Sequence, residues 1–234
     1  MGDKYKFFKH ILNTFLICML LFSSYKIYDK LNEYKQAEKN HTKVLQIAKD
    51  TNNKDENLKS INEDYQGWIK IDNTNIDYPI LQNKDNDYYL NKDFYKNNSS
   101  SGSIFMDYRN DFFNDENVIL YGHNMKNKTM FSQLKKFEDK DFFDSNNKIF
   151  ITKDGREYIY EVFSVYVAQS DFDYLQTSFA SNSEFKNYID TIKSKSIHDS
   201  KIDVTTKNKI LTLSTCSYEF KNARTVVHAR LVDM

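Results

Sequence analysis

Short runs of alternating apolar and polar residues, which predict half-buried β-strands, recur from about residue 61 to the C-terminus. The runs are Trp68–Ile71, Ile76–Leu81, Ser103–Met106, Val118–Leu120, Lys148–Thr152, Glu157–Val167, Ile210–Ser214 and Thr225–Val232. The pair Asp154-Gly155 separates two of them and predicts a tight hairpin. Helical spacing is confined in this region to Phe131–Phe137 and Glu184–Lys195. The pattern favours a mainly-β fold, a closed or nearly closed β-barrel, over a parallel sheet with crossover helices.

The N-terminus has an unbroken apolar run from Phe15 to Phe22, and Lys4, Lys6 and Lys9 precede it. The run is shorter than the ~20 residues that span a bilayer comfortably, so it could be a cleaved signal peptide or an uncleaved signal-anchor. No A-x-A cleavage site follows, which favours the anchor; a buried core helix is a third interpretation. The lysines favour a cytoplasmic N-terminus, with the remaining chain outside the membrane. In an organism without an outer membrane, that side is the cell-wall space.

Between Ile27 and Ala48 apolar residues recur three and four positions apart, which predicts an amphipathic helix. The polar stretch Lys49–Lys59 predicts a loop or a helix end. We therefore expect three parts: a cytoplasmic tip with a membrane signal-anchor (residues 1–28), a helical stalk (29–60) and an extracellular barrel domain (61–234).

Composition excludes several classes of function. Lys and Arg number 33 and Asp and Glu also 33, so no net charge attracts nucleic acid. With five Gly and one Pro, no Gly-rich phosphate loop is present, and neither CxxC nor HExxH occurs. We predict no metal and no cofactor, and we interpret Asp107, Asp111 and Asp115 as a solvated acidic face.

Two cysteines are present, Cys18 in the apolar run and Cys216 at the end of a predicted strand. We do not expect them to form a disulfide, because one lies in the N-terminal apolar run and the other in the predicted barrel domain. Unpaired thiols are usually avoided outside the cell, so the retention of Cys216 suggests that this thiol is used. The alternative is that Cys216 is a small buried apolar residue.

A nucleophilic thiol needs a partner that handles its proton, and histidine is the usual one. His123 follows a predicted strand, and Gly122 before it would permit a sharp turn. His198 lies in a polar stretch and is expected in a solvated loop, while His228 is expected to pack across neighbouring strands. His123 is therefore the preferred candidate.

Arg224 lies eight residues after Cys216, at the start of the next predicted strand. A short loop would return its guanidinium to the thiol, where it would favour a thiolate and an oxyanion. Arg230, six residues further along, would lie ~20 Å away and cannot take this place.

These residues resemble the signature of the sortase family. Thr212-Leu213-Ser214-Thr215-Cys216, followed by Arg224 in a strand and preceded by a strand-end His123, is similar to the class B form. The family resemblance implies an eight-stranded barrel with N-terminal helices and a few peripheral helices. It also implies a membrane-anchored cysteine transpeptidase of the Gram-positive cell envelope, with Cys216 as nucleophile, His123 as general acid/base and Arg224 as oxyanion stabiliser.

The resemblance further implies substrates and partners. Class B members cut an NPQTN-like or xPxTx sorting signal of surface proteins after Thr, through a thioester, and transfer the product to an amine of peptidoglycan or its lipid-linked precursor. Substrate contacts carried over from the family are Ser170, Tyr174, Leu175, Ser214, Asn86 and Leu90. Some class B members have an acidic residue after the cysteine, where this chain has Ser217.

Two other functions fit the same residues. A secreted cysteine protease would use the same thiol and imidazole but release its peptides to water. A membrane-tethered module that binds the cell wall without catalysis would bury Cys216 and leave it unreactive.

Overall fold

The computed structural model describes residues 2–49, 53–169 and 174–233. The strands are β1 (Tyr65–Lys70), β2 (Asp77–Leu81), β3 (Ile104–Met106), β4 (Asn117–Tyr121), β5 (Lys148–Lys153), β6 (Arg156–Gln169), β7 (Ile210–Cys216) and β8 (Ala223–Asp233). The α-helices are α1 (Gly2–Ala48), α2 (Lys54–Ile61), α3 (Lys140–Ser145) and α4 (Asn182–Ser194). Short 3-10 helices cover Tyr88–Leu90 and Phe131–Glu138. Each predicted strand overlaps an observed one.

The strands close into a barrel in the order β1-β2-β3-β4-β7-β8-β6-β5, which confirms the predicted closed barrel. The pairs β2–β3 and β4–β7 are parallel and the other neighbours are antiparallel. Because β4 and β7 run in the same direction, their C-terminal ends lie at the same end of the barrel. Because β7 and β8 are antiparallel, the start of β8 lies at that end too.

The hairpin between β5 and β6 turns at Asp154 and Gly155, whose φ angles are 51° and 74°. Positive φ at both central residues is typical of the type I′ turn that matches strand twist. The predicted tight hairpin is confirmed.

Alternation along β7 and β8 separates the barrel interior from its outer face. Leu211, Leu213 and Val227 belong to the interior core, whereas Ile210 and Val226 pack in a separate cluster with helix α4. Successive side chains of a strand point to opposite faces. The even-numbered residues of both strands therefore lie on the outer face.

The stretch Lys49–Lys59, expected as a loop or helix end, instead contains helix α2 from Lys54. Leu58 is fully buried, and the Asp55 carboxylate accepts hydrogen bonds from the Tyr65 hydroxyl (2.7 Å) and the Gly155 amide (2.8 Å). Tertiary contacts thus stabilise a short helix that its polar composition does not favour. Helix α3 was not predicted either; the Asp139 side chain caps it by accepting from the Phe142 amide at 2.9 Å.

The chain divides into two compact units, residues 1–40 and 41–234. The described residues of the first unit lie within α1, which from Tyr5 onward is long and apolar enough to cross a membrane, with the side chains of its apolar segment exposed. By length and composition this helix is compatible with a membrane anchor. In the second unit the His41 ring stacks on Tyr78 with centroids 4.3 Å apart, which fixes the last turns of α1 on β2.

Candidate active site

Cys216 is the last residue of β7 and is half-buried. In the antiparallel ladder it lies directly opposite Arg224, the second residue of β8. Residues opposite each other in such a ladder have Cα atoms about 4.5–5.5 Å apart, so the two side chains share the outer face at the barrel rim. The tight β7–β8 connection thus brings the guanidinium beside the thiol, as the spacing of eight residues predicts.

His123 follows β4, whose last residue, Tyr121, pairs in parallel register with Ser214 of β7. The parallel pairing therefore delivers the imidazole to the rim where Cys216 ends its strand. The His123 main-chain carbonyl accepts from the Phe131 amide at 3.0 Å, which fixes the backbone there.

Glycine is needed at position 122 for a different reason from the sharp turn that the sequence suggested. Its φ is not in the left-handed region, so no sharp turn requires glycine here. A Cβ at this position would lie 2.4 Å from Ile104 Cδ1 and 2.8 Å from Phe131 Cδ2. Close packing of the strand end against the core requires glycine, and this packing brings His123 near the barrel wall.

The His123 ring is oriented by a main-chain carbonyl rather than by a carboxylate. Its Nε2 lies 2.7 Å from the Leu90 carbonyl oxygen. A carbonyl oxygen only accepts, so Nε2 carries the proton of a neutral ring and Nδ1 is the nitrogen available to Cys216. Sequence reasoning placed Leu90 among substrate contacts and missed this role, because a main-chain acceptor leaves no mark in the residue type.

The two reactive groups shift each other's protonation in opposite directions. The hydrogen bond with His123 lowers the pKa of the Cys216 thiol, against the opposing effect of burial, and the charge of Arg224 lowers it further. The same hydrogen bond with Cys216 raises the pKa of His123; burial opposes this and the Leu90 carbonyl supports it. The site therefore favours a thiolate beside an imidazolium, the form in which a cysteine is most nucleophilic.

Asn124 is a site residue that the sequence did not reveal. Its side-chain amide donates to the Cys216 carbonyl at 2.8 Å, and its own carbonyl accepts from the exposed Tyr218 hydroxyl at 3.2 Å. These bonds tie the loop after His123 to the loop after Cys216. The only signal in the sequence was the adjacency of Asn124 to His123.

The structure describes five of the six residues expected to contact substrate, and Ser170 lies outside the described residues. Ser214 and Tyr174 are buried and their hydroxyls are 2.9 Å apart, beside the nucleophile's strand end. Leu175 is half-buried next to Tyr174, and its carbonyl accepts from Arg109 at 3.0 Å. Asn86 donates to a buried carboxylate, Asp107, at 3.0 Å.

Asp107 corrects the expectation of a solvated acidic face. Its side chain has no exposed area and accepts from Arg109 Nε and Nη2 at 2.9 Å, from Tyr121 Oη at 2.9 Å and from Asn86. Burial alone would raise the pKa of Asp107, but these hydrogen bonds, those of Arg109 above all, hold it below its usual range. Asp111, by contrast, is exposed.

The other two barrel-domain histidines have structural contacts. His198 is half-buried rather than solvated, because its ring packs 5.1 Å from that of Phe143 and its Nε2 bonds to the Glu138 carbonyl at 2.9 Å. His228 lies opposite Thr212 in the β7–β8 ladder, which confirms the expected cross-strand packing. In the described part of the chain, no three His, Cys, Asp or Glu side chains gather in a way that could hold a metal ion.

The family model of the sortase domain matches residues 69–232. Sortase B of Listeria monocytogenes is 37% identical over 94% of this chain and 95% of its own length. A crystal structure of a mutant form of sortase B from Clostridium perfringens superposes with a TM-score of 0.81, at 38% identity, over 84% of this chain and 98% of that one. A Staphylococcus aureus sortase B–substrate complex gives a TM-score of 0.79 at 34% identity, over 88% of this chain and 98% of that one. The chain therefore belongs to the sortase family, as a class B sortase, and is a sortase-type cysteine transpeptidase.

Proposed function

We propose that Cys216, His123 and Arg224 carry the reaction, and that the substrate is a surface protein with an NPQTN-like or xPxTx sorting signal cut after Thr. The observation that supports this most is the meeting of three side chains at one rim: Cys216 lies opposite Arg224 in the ladder, and both His123 and Arg224 lie near enough to lower the pKa of its thiol. Membership of the sortase family, whose members are transpeptidases, supports acyl transfer over simple hydrolysis.

In the first half-reaction the Cys216 thiolate attacks the Thr carbonyl carbon, and the carbonyl π electrons move onto its oxygen. The Arg224 guanidinium lies beside this position and stabilises the oxyanion. As the intermediate collapses, the C–N bond breaks and His123 gives its Nδ1 proton to the leaving amine. The products are a thioester on Cys216 and a neutral imidazole.

In the second half-reaction an amine of peptidoglycan or its lipid-linked precursor attacks the thioester carbonyl. His123 accepts the proton that the amine loses, and the C–S bond breaks to regenerate the thiolate. The same imidazole thus acts as acid and then as base, and the raised pKa of His123 favours the protonated form at the start of each cycle.

Substrate recognition is assigned to the groove walls beside these groups. Ser214 and Tyr174 supply hydroxyls next to the thiol, and Leu175 supplies an apolar surface. Asn86 and Leu90 form the facing wall, and Ser170 is carried from the family alone. On the membrane side, we propose that residues 1–28 form a cytoplasmic tip and signal-anchor, that 29–60 form a stalk, and that 61–234 face the cell wall.

In the test, the full chain in detergent micelles is incubated with a fluorescent NPQTN-type peptide, and the intact mass of the protein is measured over time. We expect an adduct equal to the peptide's N-terminal fragment minus one water, released by hydroxylamine as a thioester is. Cys216→Ala should form no adduct, whereas Cys18→Ala, which removes the other cysteine, should behave as wild type.

Adding a small primary amine separates the alternative enzymes. A transpeptidase gives an amide product and faster turnover, while a protease gives only the free acid at an unchanged rate. If neither an adduct nor cleavage appears, and a thiol reagent fails to label Cys216 in the folded chain, the non-catalytic binding module is the correct interpretation.

A further inference from the structure

The segment Tyr174–Thr177, which follows β6 and carries two of the proposed substrate contacts, is held through its main-chain carbonyls. The Tyr188 hydroxyl donates to the Tyr174 carbonyl at 3.1 Å, and Arg109 Nη2 donates to that of Leu175 at 3.0 Å. The side-chain amide of Asn117 donates to the Gln176 carbonyl at 2.8 Å, and its main-chain amide donates to that of Thr177 at 3.2 Å. Four consecutive carbonyls therefore accept from residues elsewhere in the fold, so the backbone of this segment is held by donors outside it.

Arg109 differs from the other donors because it is charged and held by a buried carboxylate. Two of its nitrogens bind the Asp107 carboxylate, and Nη2 also reaches the Leu175 carbonyl. The Arg109 side chain is 42% exposed while that of Asp107 is fully buried. A planar fork can bond two acceptors in fixed directions, which a lysine ammonium on a flexible stem cannot.

The Asp107 carboxylate is connected by hydrogen bonds to residues of both proposed walls of the groove. Besides Arg109 it accepts from Asn86, on one proposed wall, and from Tyr121, whose backbone pairs with Ser214 beside the nucleophile. Through Arg109 the same carboxylate reaches Leu175 on the other wall. The ion pair therefore links residues of both proposed walls.

We propose that the Asp107–Arg109 ion pair is a positioning device that sets the Tyr174–Thr177 segment, and with it the width of the substrate groove, without contacting the reacting atoms. This role rests on the proposed function, since it assumes that the peptide binds between these walls. Loss of the pair should weaken substrate binding and leave the chemistry at Cys216 intact.

The experiment compares the wild-type chain with Arg109→Gln, Arg109→Lys and the matched control Arg230→Gln. Arg230 also forms an ion pair, with Glu161 at 2.9 Å, but it lies towards the end of β8 that is remote from Arg224 and the thiol. We expect Arg109→Gln to raise KM for the sorting-signal peptide roughly tenfold or more, the loss that corresponds to a charged hydrogen bond, with kcat changed less than about threefold. Arg109→Lys should give a KM between those of the wild type and Arg109→Gln, because a lysine can bond one of the two acceptors but not both.

A second readout needs no turnover. Hydrogen exchange followed by mass spectrometry should show faster exchange of amides in 174–181 in Arg109→Gln, with the alkylation rate of Cys216 unchanged. Arg230→Gln should leave both readouts at wild-type values.

The proposal is wrong if exchange in 174–181 is unchanged in both Arg109 variants, if kcat falls while KM stays constant, or if Arg230→Gln has the same effect. If Arg109→Gln does not fold, the intermediate Arg109→Lys decides by the same criteria. If the wild type cleaves no sorting-signal peptide, the proposed function fails, yet the exchange data still report whether Arg109 holds the segment.

Discussion

His228 and His123 both lie along the β4–β7–β8 part of the barrel, yet the protein favours the neutral form of one and the charged form of the other. His228 is completely buried in mid-strand, where its ring nitrogens bond to the hydroxyls of Tyr166 (2.8 Å) and Thr212 (2.9 Å). Burial lowers the pKa of His228 to about 3. His123 lies at the strand end, where the thiol of Cys216 raises its pKa instead. Burial lowers the pKa of both rings, but at the rim the ionisable thiol raises the pKa of His123 by more than burial lowers it.

The two arginines of β8 repeat this contrast. Arg230 is neutralised by the carboxylate of Glu161, with both side chains 25% exposed. Arg224 directs its charge to the thiol, and its own guanidinium donates to the Ala223 carbonyl at 3.0 Å. At the rim the thiol, imidazole and guanidinium thus favour charged forms, whereas His228 in mid-strand is kept neutral and Arg230 is paired with a carboxylate.

The largest effect should come from exchanging the two arginines for lysine in turn. Arg224→Lys keeps the charge but loses the fork that we propose faces the oxyanion, so kcat/KM for the sorting-signal peptide should fall about 10²- to 10³-fold. Arg230→Lys should stay within about threefold, because its partly exposed ion pair lies away from the thiol and contributes roughly 1 kcal/mol or less to stability.

Both variants should keep the wild-type melting temperature within a few degrees, which separates a catalytic loss from unfolding. Equal activity losses in the two would remove the distinction between the ends of β8, and Arg224 would then have no special role.

A second prediction concerns the thiol. In a Cys18→Ala background only Cys216 reacts with iodoacetamide, and its rate follows the thiolate fraction. Since His123 and then Arg224 lower the pKa of Cys216, the wild-type rate should rise at a lower pH than for an ordinary thiol. His123→Asn should move this rise to higher pH, and Arg224→Gln should move it in the same direction by less. An unmoved profile in His123→Asn would show that the thiol is not coupled to the imidazole.

A third prediction tests whether the Leu90 carbonyl orients His123. Gly102 has a φ of 57°, and a Cβ there would lie 2.6 Å from the main-chain oxygens of Leu90 and Tyr89. Gly102→Ala should therefore displace the Leu90 carbonyl and lower kcat roughly tenfold, since small misplacements of catalytic groups are costly.

Gly155→Ala is the matched control. Its φ is 74°, but nothing lies within 4 Å of an added Cβ, and the residue sits in the β5–β6 hairpin. It should carry a similar backbone strain and retain full activity. Equal losses in both variants would attribute the effect to destabilisation alone.

The sequence predicted the strands, the hairpin and the pairing of Cys216 with Arg224, because alternation and short spacings act locally. It did not predict helix α2, which depends on the burial of Leu58, nor the buried state of Asp107, which depends on Arg109 and Tyr121. The Leu90 carbonyl is beyond residue-type reasoning altogether, since any residue supplies one. Specific hydrogen-bond and packing partners, which the alternation of apolar and polar residues does not reveal, decided these features.

The smallest effect is the pH dependence of stability due to His228. The pKa of His228 is about 3 in the folded chain and near 6.5 in the unfolded chain, so between these pH values the unfolded chain binds a proton at His228 and the folded chain does not. This contribution is fully present above pH 6.5 and is lost as pH falls, by roughly 1.4 kcal/mol between pH 7.5 and 5.5. His123 has the opposite sign, because its raised pKa adds stability at low pH.

His228→Gln should flatten the slope of unfolding free energy against pH, measured by urea titration at both pH values, even though it loses some stability throughout. Tyr166→Phe removes the hydroxyl partner but leaves the imidazole buried, so it should keep most of the wild-type slope. A slope in His228→Gln equal to that of the wild type would mean that the mid-strand imidazole accepts a proton in the folded protein. The two histidines would then no longer represent opposite electrostatic settings.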